Sequence, residues 1–215
     1  MFAGDPHGDF ESIIKDALQH KPDVLITLGD HDLEKPFIKV HWIPGNHDGD
    51  HDDWYNRLFQ GISGLWNLHG RVVDIGGIRI AGLGGVFREK IWFPRKAAAQ
   101  FTSRAELLHV TPLKGHQGRW KAAGELEAGI PRKHRVSIFP EDFEKLSKLQ
   151  ADILVTHEAP SCHRHGFQAI DELAMKMGVT QILHGHHHFD YEDVLENGIK
   201  VVGLGRAKTC VLPCP

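Results

Sequence analysis

At 215 residues, with 41% hydrophobic and 25% charged side chains, the chain has the length and composition of one globular domain with a full core. Its formal net charge of -3 singles out no polyanionic partner. No apolar run is long enough to span a bilayer, and the opening "MFAGDPHG" has neither the charged region nor the apolar core of a signal peptide, so a cytoplasmic protein with no membrane partner is expected. The unusual feature is histidine, present 17 times. Cys162, Cys210 and Cys214 form no disulfide framework and indicate a reducing compartment; the Cys210–Cys214 pair has no second pair with which to hold zinc.

In chain order, "FAG" predicts a short strand ending at Asp5. "DFESIIKDALQH" carries Phe10, Ile13, Ile14, Ala17 and Leu18 at helical spacing after Asp9, a suitable N-cap. "DVLITLGD" and "IKVHWIPGNHD" are apolar strands ending in Gly29-Asp30 and in Gly45-Asn46-His47-Asp48, and "DDWYNRLFQGI" is a helix. "GRVVDIGGIRIAGLGG" predicts a hairpin around Gly76-Gly77. From Arg88 to Arg135 the character changes: eleven basic side chains face four acidic ones, and the hydrophobic period weakens. An irregular basic insertion or cap over about 88–140 is expected within a single domain, 1–215. After it come helix "PEDFEKLSKLQ", strand "DILVTH", helix "AIDELAMKMG", strand "QILHGH" and strand "KVVGLG". Alternation of this kind predicts a mostly parallel α/β sheet covered by helices.

The strand ends share a chemistry. Asp5 and His7 follow the first strand, Asp30 the second, Asn46 and His47 the third; His157, then His186 and His188, follow later strands. Ligand sites of α/β sheets lie at such ends. Carboxylate, amide oxygen and imidazole without thiolate suit Mn, Fe, Zn, Co or Ni. If the backbone stays extended past the strand, Asp5 and His7 point the same way, and His186 and His188 converge while His187 faces away.

In this order, Asp5-Pro6-His7, Gly29-Asp30, Gly45-Asn46-His47-Asp48, His157 and Gly185-His186-His187-His188 resemble the five blocks of the calcineurin-like metallophosphoesterase superfamily. The resemblance implies a four-layer α/β/β/α sandwich of two mixed sheets with helices outside. It implies two divalent metal ions, manganese foremost: one on Asp5, His7, Asp30 and His188, the other on Asp30, Asn46, His157 and His186, with Asp30 bridging. It implies a phosphoester hydrolase in which a bridging hydroxide attacks phosphorus in line and His47 protonates the leaving group, its ring held by Asp48. The substrate is expected to be a phosphorylated small molecule or nucleic acid, cleaved by a phosphodiesterase or phosphatase, because of the basic insertion. A phosphoprotein phosphatase and a non-catalytic scaffold of the same fold are the alternatives.

The chain departs from the family pattern in its second block, where Leu33 stands in place of a further aspartate; Asp32 is the candidate to replace its function. His31, His51, His163, Arg164 and His165 are neighbours that approach the site or sit in solvated loops, and Cys162 is expected to be an unreactive thiol. Phe87, Trp92, Phe93, Phe101 and Trp120 are expected to anchor a satellite core rather than to stack bases.

Overall fold

The apolar runs that end in Asp, Asn or His form neighbouring strands. A computed structural model describes residues 1–32, 40–96, 98–110, 126–127 and 130–212; Leu33, Lys114, Arg119, Trp120, Lys121, Glu125 and Cys214 lie outside the described residues. The first half contains β1 (Phe2–Ala3), α1 (Phe10–His20), β2 (Ile26–Thr27), β3 (His41–Trp42), α2 (Asp52–Phe59), β4 (Arg71–Ile75) and β5 (Ile78–Leu83). Then follow α3 (Arg104–Val110), β6 (Leu126–Glu127), β7 (Ile130–Pro131), α4 (Pro140–Leu146) and β8 (Ile153–Thr156). The chain closes with α5 (Gln168–Met177), β9 (Gln181–His184), β10 (Tyr191–Val194), β11 (Lys200–Gly203) and β12 (Thr209–Cys210).

Two mixed sheets result. The smaller has the order β12-β1-β2-β3, with β12 antiparallel to an otherwise parallel set. The larger has the order β10-β11-β9-β8-β5-β4, parallel through its four central strands and antiparallel at both edges. Side-chain alternation divides their faces. Ile26 and Leu28 of the small sheet meet Ile80, Ile153, Val155 and Leu183 of the large one. Ala81, Leu154 and Ile182 point the other way, onto Leu146 of α4 and onto Ile170, Leu173 and Ala174 of α5. On the outer face of the small sheet Ala3 packs on Ile13 of α1, and Trp42 packs on Leu58 of α2. The order helix, sheet, sheet, helix is the expected four-layer sandwich.

Local signals explain the boundaries. Asp9 accepts from the Ser12 amide at 3.1 Å and caps α1. Gly178, at φ 72°, closes α5 in a left-handed turn. Gly76 and Gly77, at φ 60° and 86°, make the predicted hairpin turn. The apolar stripe of α1 is narrower than its spacing suggests: Ile13 is fully buried, whereas Ile14 and Leu18 are 55% and 72% exposed. The short strands β6, β7, β10 and β12 carry no expectation from the sequence, and α3 is a short helix inside the insertion.

Within the insertion, Ile91, Leu107, Ile130 and Phe139 form a small separate cluster with Trp92 and Phe101 against it. Phe87, Trp92 and Phe93 also join the main core. These aromatic side chains are anchors, as expected. Much of the positive charge is spent internally: Arg104 pairs with Glu141 and Asp142, Arg132 and Arg135 with Asp52, and Lys96 with Glu89.

Candidate metal centre

The C-terminal ends of β1, β2, β3, β8 and β9 bring Asp5, His7, Asp30, Asn46, His157, His186 and His188 to one edge of the sandwich. Asp30 is the common member of two clusters: His7, Asp30 and His188 place ligand atoms within 4.8 Å of one another, and so do Asp30, His157 and His186. His7 Nε2 lies 3.7 Å from Asp30 Oδ2 and 3.0 Å from His188 Nε2. His188 Nε2 lies 3.5 Å from Asp5 Oδ2. On the other side His157 Nε2 lies 3.4 Å from Asp30 Oδ2 and 3.1 Å from Asn46 Oδ1.

Backbone geometry corrects the reason given for this convergence. Asp5, His7, Asp30, His186 and His188 have φ values of 27°, 43°, 52°, 72° and 53°. The chain turns left-handed at these positions instead of continuing extended, a strained choice for non-glycine residues that concentrates at functional sites. His186 and His188 therefore face different clusters across Asp30. His187 does turn away, stacking on His163 with ring centroids 3.9 Å apart. His184 belongs to strand-end structure: its Nε2 bonds the Tyr191 hydroxyl at 2.6 Å, and burial pushes its pKa down to about 4.

Outer hydrogen bonds fix which ring nitrogens are free. His157 Nδ1 donates to the Leu28 carbonyl at 2.7 Å, directing Nε2 into the site. His7 Nδ1 donates to Asp32 Oδ2 at 2.9 Å, so Asp32 does orient a candidate ligand. Asp48 departs from expectation. Its carboxylate is fully buried and accepts from the amides of Asp30 (3.1 Å), His31 (2.8 Å) and Gly45 (2.7 Å) and from His31 Nδ1 (2.9 Å). It clamps the β2 end to the loop after β3 and makes these bonds instead of holding the His47 ring. The His47 ring is instead held by Asp50, whose Oδ2 accepts from Nδ1 at 2.6 Å.

His31, also fully buried, braces this clamp against Thr27, while His51 packs on Trp54. Cys162 is partly buried beside Tyr191, and burial raises its pKa, as expected for an inert thiol. Three site-flanking residues had no assignment. Asp50 had the weak signal of an acid three positions after His47. Glu158 directly follows His157, and Arg88 carried no signal beyond its charge.

The electrostatics ask for cations. Burial raises the Asp5 pKa to about 7, reinforced by Asp30 and opposed by His157. Burial alone would neutralise His157, but Asp30 and Asp5 outweigh it and raise its pKa to about 10. The same interactions outweigh burial at Asp30 and hold its carboxyl well below the usual range. The ionised Asp30 is thus paired with a protonated His157, while burial favours the neutral form of Asp5.

The donor set fits divalent metals on three observations. Asp5 Oδ1 is buried with no hydrogen-bond partner among the described residues. The facing nitrogens of His7 and His188 need a shared proton or cation between them. A Cβ at Gly185 would lie 2.2 Å from Asp5 Oδ1, and one at Gly45 2.2 Å from Asp30 Oδ1, so both glycines are required for the carboxylates to enter the site.

A family model described as calcineurin-like phosphoesterase matches residues 1–190. The chain belongs to the calcineurin-like phosphoesterase family. An uncharacterized protein of Haemophilus influenzae is 39% identical over 213 residues, covering 95% of this chain and 90% of that protein. The crystal structure of TT1561 of Thermus thermophilus is similar with a TM-score of 0.56 and 13% identity, covering 96% of this chain and 88% of that one; at that identity the likeness shows the fold alone. Calcineurin-like phosphoesterases are dinuclear metal-dependent hydrolases of phosphoester bonds, and the two clusters around Asp30 are candidate ligand groups for such a pair. Among the described residues no helix is long and apolar enough to cross a membrane.

Proposed function

We propose that this calcineurin-like phosphoesterase holds one divalent cation on Asp5, His7, Asp30 and His188 and a second on Asp30, Asn46, His157 and His186. The observation that carries the assignment is the membership of Asp30 in both ligand clusters. Manganese suits the oxygen-rich and imidazole donors, as do iron, zinc, cobalt and nickel. Bound there, the cations supply Lewis-acid neutralisation of phosphoryl charge and a water acidified enough to act at neutral pH.

The protein's own residues do the rest. His47 is half-exposed at the mouth, with its amide bound to Asp30 Oδ1 at 2.8 Å. Burial pulls its ring toward neutrality, but the hydrogen bond to Asp50 and the charges of Asp30, Asp50 and Asp32 prevail and raise its pKa. The ring is thus biased toward its charged form, in which Nδ1–H is committed to Asp50 and Nε2–H is free to protonate a leaving alkoxide. Asp48 contributes by holding Asp30 and the Gly45–His47 loop in register.

The substrate is a phosphorylated small molecule, a nucleotide foremost, cleaved as a monoester or diester. Internal pairing of Arg104, Arg132, Arg135 and Lys96 leaves less free charge for a polynucleotide. A panel of mononucleotides, cyclic nucleotides, RNA, phosphopeptides and an aryl phosphodiester, assayed with added Mn²⁺, tests this reading. Metal-dependent turnover of nucleotides supports it. Selective turnover of phosphopeptides would favour a phosphoprotein phosphatase, and a metal-free, inactive protein would favour a scaffold.

A further inference from the structure

Arg88 flanks the site with a side chain that pairs with no carboxylate among the described residues. It follows the end of β5, which runs parallel to β8 with Leu83 paired to Thr156, so it emerges on the same sheet edge as His157. Its loop is fixed in place. Val86 exchanges backbone hydrogen bonds with Val136 and Ile138, both at 3.0 Å. The Phe87 amide donates to the buried Glu158 Oε1 at 3.0 Å, and Glu158 Oε2 lies 3.9 Å from His186 Nε2. The arginine is therefore carried to the flank of the Asp30–His157–His186 cluster by a rigid segment.

The side chain there is unusual. Its Nε is fully removed from solvent and has no hydrogen-bond partner among the described residues. Among the described residues the guanidinium makes no ion pair, and burial lowers its pKa although Asp50, Glu158 and Asp30 favour its charge from nearby. Arg79, Arg104, Arg132 and Arg135, by contrast, each pair with a carboxylate. The guanidinium is thus partly buried, with its desolvated Nε left for a ligand to complete. Its planar fork matches two oxygens of a phosphate better than any single charge does.

We propose that Arg88 is a substrate-binding residue whose guanidinium takes non-ester oxygens of the phosphoryl group, opposite the ligands contributed by Asp30, His157 and His186. Glu158 is a positioning residue: it holds the Phe87 amide and so sets where Arg88 begins. This inference rests on the phosphoester reading. The competing explanation is structural, with Arg88 serving only as a counter-charge to Asp50, Glu158 and Asp30.

Titration calorimetry with inorganic phosphate on the full-length, Mn²⁺-loaded protein separates these explanations. Arg88→Met and Arg88→Lys are compared with wild type, with bound metal and thermal unfolding measured for each. In Arg88→Met, phosphate affinity is expected to weaken on the order of tenfold to a hundredfold. Metal content should hold, and the unfolding temperature should be unchanged or higher. Arg88→Lys should recover part of the affinity, since it restores charge but not the fork. The inference is overturned if Arg88→Met binds phosphate as wild type does, or if its affinity loss tracks lost metal and lowered stability. Should wild-type protein loaded with metal bind no phosphate, the phosphoester reading falls too. Wild-type binding with an unaffected Arg88→Met variant overturns only the role of Arg88.

Discussion

Replacing Asp50 with asparagine keeps the hydrogen-bond acceptor near His47 Nδ1 while removing the charge that holds the ring protonated. Both side chains are about half exposed, at 48% for His47 and 46% for Asp50, so the 2.6 Å contact is screened by water. An exposed ion pair contributes about 0.2–1 kcal/mol, the upper end applying to good geometry. Losing about 1 kcal/mol of imidazolium stabilisation corresponds to roughly a fivefold change in protonation equilibrium. His47 has a raised pKa, so its acid form is fully present at low pH and lost as pH rises through that value. Without Asp50 the alkaline limb of kcat/KM should move toward neutral pH. Rates on that limb should drop about fivefold for an alkyl phosphoester and little for an aryl one, whose leaving group needs no proton. Asp48→Asn is the matched control. It places an amide NH₂ where a buried carboxylate receives three backbone amides, so it should cost about 1–3 kcal/mol of stability, read by thermal unfolding. If Asp48→Asn shifts the alkaline limb at unchanged stability while Asp50→Asn leaves it in place, the assignment of Asp50 to His47 is wrong.

The charge balance at Asp5, Asp30 and His157 makes metal binding a proton-releasing event. With its pKa raised to about 10, His157 holds a proton at pH 8 in the metal-free protein, and Nε2 must lose it to bind. Calorimetry in buffers of different ionisation heat should report about one proton released, with affinity rising as pH increases; no proton release would refute this. Asp30→Asn removes the charge shared by both clusters and should abolish binding of both ions by metal analysis; a variant that retained one full equivalent would show that Asp30 does not bridge. Gly185→Ala puts a Cβ 2.2 Å from Asp5 Oδ1 and should cost about 1–3 kcal/mol of stability and weaken metal binding, whereas a variant that melts and binds like wild type would mean the carboxylate has room to move.

The seven candidate ligands were legible in the sequence because each follows an apolar strand, and these strands of both sheets end at one edge of the sandwich. Their angular arrangement was not legible. Period-2 alternation assigns His186 and His188 a common direction, but φ values of 72° and 53° turn the chain left-handed at both. The sequence "HGHHH" contains nothing to announce that, because the preference for those angles comes from the site around it: the His186 amide donates to Asp5 Oδ2 at 2.6 Å across 181 residues. The same limit explains the exchange of Asp48 and Asp50. Adjacency made Asp48 the natural partner of His47, yet three backbone amides from β2 and the β3 loop claim its oxygens, and such claims depend on contacts distant in sequence. Arg88 and Glu158 were hidden for the opposite reason. Neither ends a strand in a recognisable block, and only the parallel pairing of β5 with β8 brings the loop after one beside the residue after the other. Strand ends therefore point to the candidate metal ligands, while the residues that orient them are set by which strands are neighbours.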